Sequence, residues 1–307
     1  GSTLIIWGKA YEFSKEVKCP RLNFTYFFAY KKYYKNLPDE FYKESVNKPI
    51  KNSIDVLKWN LPLNFSYAFE EYVINVTEIV FFILGKILTT IKKYKESLEI
   101  LSKLYDSFKS LNSIEQKKRG RLIIETKEEI IRLYRFFSFE KYLEDNYFEM
   151  EKYCSRILAL DQYNYDANLS KAIYEEEIGH REDAKKYISV AEANAPKNTN
   201  AHKFSLAYFA LDEGNFGEAV EYYDFLREHN ADFNPVKVAD YLHRKYEKTK
   251  KIEFLFAEGL IKIQWLSKPN DGKDIMQLFL KEALKNETPE KYSILLNKGQ
   301  KIIVDDK

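Results

Sequence analysis

Between residues 146 and 233, apolar and small residues recur three times in one arrangement. Asn146-Tyr147-Phe148-Glu149-Met150 leads to Cys154 and the run Ile157-Leu158-Ala159-Leu160. Gly179-His180-Arg181-Glu182-Asp183-Ala184 leads to Ile188 and Ala191, and Gly214-Asn215-Phe216-Gly217-Glu218-Ala219 leads to Tyr223 and Leu226. Met150 precedes Ala184 by 34 residues, and Ala184 precedes Ala219 by 35. A fourth copy lies upstream, with Leu84-Gly85 followed by Tyr94, Ser97, Leu101 and Leu104. This spacing predicts pairs of amphipathic helices that cannot bury both faces alone, so neighbouring pairs must stack. Units are expected at about 78–111, 131–164, 165–198 and 200–233. Asp166 precedes one first helix, and Thr199 and Asn200 can cap another.

The unit resembles the tetratricopeptide repeat, a helix-turn-helix of about 34 residues. Leu84-Gly85 and Leu206-Ala207 match the family's first-helix pair. Lys93-Tyr94, Asn146-Tyr147 and Asn215-Phe216 match its turn. Ser97, Ala184 and Ala219 match the small residue of the second helix, and Pro196 closes one repeat. Lys171-Ala172 departs from the first mark, Met150 is large for its slot, and no unit carries the family's first-helix Trp. The resemblance covers about half the chain. It implies an all-α fold, a right-handed superhelical solenoid of antiparallel helix pairs, with degenerate repeats or caps at both ends.

Three segments are expected. Residues 1–76 read as degenerate helical repeats, with helix around Leu22–Lys35 and Asn52–Leu57 and breaks before Pro38, Pro49 and Pro62. The opening Leu4-Ile5-Ile6-Trp7 reads as a strand or as helix. Residues 77–233 form the repeat stack. Residues 234–307 read as capping helices near Val236–Thr249, Ile252–Trp265 and Lys273–Lys285, with a turn at Pro269-Asn270-Asp271-Gly272 and a fraying tail.

Composition narrows the class. With 24 Tyr and 22 Phe against 10 Gly and 8 Pro in 307 residues, the chain has too few turn residues for a sandwich or barrel. Cys19 and Cys154 read as thiols in a reducing compartment, which points to the cytoplasm and makes the Asn-x-Ser/Thr matches accidental. The longest apolar run, near Ile79–Leu84, is far short of the roughly 20 residues of a membrane span. Gly1-Ser2 reads as a tag scar, and the lack of an initiator Met points to a piece of a longer protein.

The net charge of +2 is unevenly spread: +5 over 1–60, +3 over 61–139, −10 over 140–233 and +4 over 234–307. An acidic middle disfavours nucleic acid there, because phosphate contacts need cations. The aromatic-basic run Phe24–Lys35 and the basic stretch Gln116–Arg121 keep RNA binding open as a lesser reading.

No Gly-rich phosphate loop, His-Glu-x-x-His pattern or nucleophile elbow occurs. His180, His202, His229 and His243 lack metal-ligand spacing, and Glu175-Glu176-Glu177 fans out around a helix. No catalytic residue, metal or cofactor is expected. The resemblance places the partner-facing surface on the first helices: Arg132, Arg135, Phe139 and Tyr142; Asp166, Leu169, Ile173 and Glu176; and Ala201, Phe204, Tyr208 and Leu211. Arg132, Arg135, Phe139, Tyr142, Leu169, Ile173, Phe204, Tyr208 and Leu211 are the candidate binding residues, apolar except for two arginines awaiting an acidic group. The expected function is a non-catalytic scaffold or sensing module that binds a protein or peptide, or another domain of the same chain. The alternative is the regulatory region of a multidomain enzyme or defence-type signalling protein. The competing expectation for the surface is that the chain's own terminal helices cover it.

Overall fold

The computed structural model describes residues 3–14, 17–27, 78, 81–229, 233–266 and 269–305, the first two segments by their backbone. The chain divides into two compact units, 1–133 and 134–307.

The first unit opens on strands β1 (Thr3–Ser14) and β2 (Val17–Phe27). They pair antiparallel, with Ile6 opposite Phe24 and Ala10 opposite Pro20. Both segments are rich in β-branched and aromatic residues, which favour a pleated ladder. Pro20 is tolerated because each strand of a two-stranded sheet keeps one open edge. Leu4–Trp7 is strand, one of the two readings of its sequence, and Leu22–Phe27 is strand where helix was expected. The rest of 1–76, including 52–57, lies outside the described residues.

Every other element among the described residues is helical, and neighbouring helices pack in pairs. The first unit continues with α1 (81–90), α2 (Tyr94–Lys109), the short α3 (Ser113–Lys118) and the first half of α4 (Gly120–Leu143). α1 and α2 meet at Gly85, where the Ser97 hydroxyl donates to the Gly85 carbonyl at 2.7 Å. A Cβ added at Gly85 would lie 2.5 Å from the Leu101 side chain. The small residue is therefore a packing requirement. Arg119 is buried and paired with Glu78 at 2.8 Å, so the basic stretch 116–121 loses one of its cations to the interior.

The second unit holds the end of α4, then α5 (Tyr147–Leu160), α6 (Tyr165–Glu177), α7 (Arg181–Ala193), α8 (His202–Asp212) and α9 (Phe216–Glu228). α10 (Pro235–Thr249), α11 (Glu253–Gln264), α12 (Pro269–Lys285), a 3₁₀ turn (Pro289–Tyr292) and α13 (Ser293–Asp305) complete it. Ala184 and Ala219 are fully buried, as are Met150 and Cys154, so the small slot of the repeat is an interior position even where Met fills it.

One backbone device recurs in four helix pairs. Lys92, Asp145, Gly179 and Gly214 all have positive φ, between 55° and 87°. Each sits just past a first helix, and the next residue's N–H bonds a carbonyl five residues back. These bonds run Lys93 to Leu88, Asn146 to Lys141, His180 to Glu175 and Asn215 to Ala210, at 2.8–2.9 Å. This is the Schellman ending, which closes orphan carbonyls and reverses the chain. The Asn-aromatic and Lys-aromatic turn marks of the sequence lie immediately after it.

Beyond residue 233 the structure corrects two expectations. Pro269-Asn270-Asp271-Gly272 is not a turn: α12 begins at Pro269, where a missing N–H is harmless. Gly272 then serves as a contact point, since a Cβ there would lie 2.8 Å from the Ile263 backbone nitrogen and 3.0 Å from the Gly259 carbonyl. Where a fraying tail was expected, α13 runs through Asp305. Leu295 is fully buried and Leu296 and Ile302 nearly so, in one core that runs from Ala172 through α8–α13. No described helix is long and apolar enough to cross a membrane.

Candidate functional site

A cleft of about 90 Å³ opens within the second unit. The end of α4 and the start of α5 contribute Tyr142 and Tyr147. α6 contributes Ala172, Ile173 and Glu176, and α8 contributes Phe204, Ser205, Tyr208 and Phe209. α10 adds Val238, Tyr241 and Leu242. Asn146 starts α5 by accepting the Glu149 N–H at 3.1 Å, and Asn164 starts α6 by accepting the Ala167 N–H at 3.2 Å, so caps fix where these side chains enter.

The cleft has one polar knot. The Tyr208 hydroxyl donates to Glu176 Oε1 at 2.6 Å, and Lys245 Nζ lies 3.3 Å from the same oxygen. Lys245 is buried, with its ammonium 5.0 Å from the Tyr241 ring centre and 5.8 Å from that of Tyr208. This cation is held by two π faces and one carboxylate. Tyr208 also stacks on Phe254 at 5.4 Å.

Burial, with the Asp145 charge second, pushes the Tyr142 hydroxyl up to about 12. Burial also raises Tyr147, Tyr208 and Tyr241, with the Glu176 hydrogen bond second for Tyr208. All four hydroxyls stay protonated at neutral pH. They can donate hydrogen bonds.

Four of the nine candidate binding residues, Tyr142, Ile173, Phe204 and Tyr208, line this cleft. Phe139 is exposed beside it, its ring 6.3 Å from that of Tyr142. Leu169 is half-buried and packs on the core. Leu211 is fully buried and lines no accessible surface. The arginines do not await an acidic partner: Arg132 pairs with Glu129 in its own helix, and Arg135 pairs with Asp166 at 2.5 Å. Phe204 is covered by Phe233 at 3.8 Å and Trp265 at 5.8 Å, and Tyr208 by Tyr241 at 5.4 Å. The C-terminal helices thus cover part of the expected surface and leave the cleft between.

Sequence reasoning missed Tyr147, Val238, Tyr241 and Lys245. α10 reads as an amphipathic helix from sequence, but nothing local says which neighbour its Tyr241 and Lys245 will face.

Glu175 and Glu176 diverge as helical geometry requires. Glu175 pairs with Lys171 at 3.2 Å and His180 at 3.1 Å, while Glu176 turns into the cleft. Glu175, His180 and Asp183 are close enough to hold a metal, which the histidine spacing did not foretell. A cation there would have to compete with Lys171 for Glu175.

No protein-family model matches the sequence, and no curated protein matches it.

Proposed function

We propose that this chain is a non-catalytic protein-interaction module, a right-handed stack of tetratricopeptide-like helix pairs that receives the apolar anchor side chain of a partner segment. The carrying observation is the cleft: an apolar, tyrosine-rich recess between helices of successive pairs, whose lining carries one charged residue, Glu176. Recesses of this kind bind through one inserted side chain, with a rim that excludes water. The four Schellman turns, each at the same place in its pair, support the repeat reading independently of side chains.

The test is selection from a displayed random-peptide library against the full chain, followed by titration of the winning peptide. Selected peptides should share an apolar residue, and Ile173→Trp, which fills the cleft, should weaken binding at least about tenfold. Peptides that bind Ile173→Trp and the unmodified chain equally would remove the cleft as the site.

A further inference from the structure

α10 is packed unequally on its two sides. Ala239 and Leu242 are buried, and the helix lies along α11. Its other side lines the cleft with Val238 and Tyr241, and touches the far wall where Tyr241 meets Tyr208 and Lys245 meets Glu176. There it meets the α4–α5 turn through charge. Lys237 Nζ donates to Asp145 Oδ2 at 2.8 Å. Arg244 donates to the Tyr147 hydroxyl at 3.0 Å, and that hydroxyl donates to Asp145 Oδ1 at 3.0 Å. Arg244 also lies 3.7 Å from Asp145. Asp145, Tyr147 and Arg244 form a closed ring over the rim, with Lys237 as a branch on Asp145, between the Schellman turn of one pair and a helix about 90 residues later.

Asp145 and Arg244 are each nearly half exposed. Exposed pairs hold weakly and are screened by salt, unlike the apolar packing of α10 on α11. In this contact, cations of the C-terminal segment meet a carboxylate of the acidic middle.

We propose that α10 is a lid on the cleft, and that the Asp145–Lys237–Arg244–Tyr147 latch, together with the Lys245–Glu176 contact behind it, sets how often it opens. This rests on the cleft being the partner site. An open lid admits the anchor side chain, and a closed one keeps Tyr208 and Tyr241 from water. Asp145 joins the two roles, since it both ends α4 with positive φ and holds the latch.

Access is read without any partner. In a Ser205→Cys chain the new thiol lies in the cleft, and its alkylation by N-ethylmaleimide is followed by peptide mass, with buried Cys154 as the monitor of global unfolding. Asp145→Asn keeps a residue tolerant of positive φ and should speed labelling at position 205 about fivefold. Lys237→Ala with Arg244→Ala should do at least as much. About 1 M salt should speed the unmodified latch similarly and the double variant hardly at all. Cys154 should stay slow throughout. Rates within twofold of one another across the latch variants and salt would overturn the lid. If a variant also speeds Cys154, it has unfolded, and the salt response of the unmodified latch decides by the same criterion. Failure here leaves the peptide titration standing, and failure of the titration leaves the lid standing.

Discussion

Glu253 is a buried carboxylate at the start of α11. Burial raises its pKa above the ordinary 4.5, while its own backbone N–H and the ammonium groups of Lys291 and Lys251 pull it back. The folded chain therefore holds this proton more tightly than the unfolded chain. That contribution to stability is complete below the ordinary value and is lost as pH rises through the folded one. At neutral pH a charge stays buried at a cost. Glu253→Gln should thus raise the melting temperature at pH 7, and the advantage should vanish as pH falls below 4.5. Thermal melts of both chains from pH 4 to 8 read this directly; a gap that grows toward acid would refute it. At the same scale, the candidate binding residues were legible in part. Spacing along a first helix singled out Ile173, Phe204 and Tyr208, but it also singled out Leu211. α8 is buried on nearly all sides, from Phe204 through Leu211, so its pattern has no polar stripe to tell cleft from core.

At the scale of elements, the repeated turn is the feature that the chain encodes most locally. Gly179 and Gly214 adopt positive φ at no steric cost, whereas Lys92 carries a Cβ in the same conformation. Opposite outcomes follow. Gly214→Ala should destabilise by about 1 kcal/mol, and Lys92→Gly should stabilise by up to about 1 kcal/mol, because each changes only the strain of one left-handed residue. Denaturant midpoints would show it, and equal effects of one sign would contradict the shared geometry. Elements were hardest to read where propensity and packing disagree. Asn-Asp-Gly at 270–272 is turn chemistry, yet α12 passes through it because Gly272 lets its backbone touch α11 at Gly259. Strand propensity, by contrast, prevailed at Thr3–Ser14.

For the second unit as a whole, α13 closes a core that begins in the repeats. Leu295 is fully buried in it, and Lys298 reaches back to Asp224 in α9 at 2.5 Å. Leu295→Ala should cost about 2–5 kcal/mol, while Ile294→Ala, at a half-exposed neighbour, should stay within about 0.5 kcal/mol. Fluorescence and circular dichroism should report the Leu295→Ala loss in one shared transition. Separate transitions would mean that the C-terminal helices fold apart from the repeats.

The pairing of helices was legible in the sequence alone, because a Gly or Asn turn followed by a buried position at Met150, Ala184 and Ala219 recurs near every 34 residues. The start of α10 at Pro235 was a local property too. Where α10 docks was settled by tertiary structure, and with it the shape of the cleft. Tyr241 and Lys245 meet Tyr208 and Glu176 through space, some 30 to 70 residues away in the chain. Periodicity tells which face of a helix is apolar, but not which other face it will meet. Local pattern fixes the elements, whereas long-range packing and charge choose their neighbours.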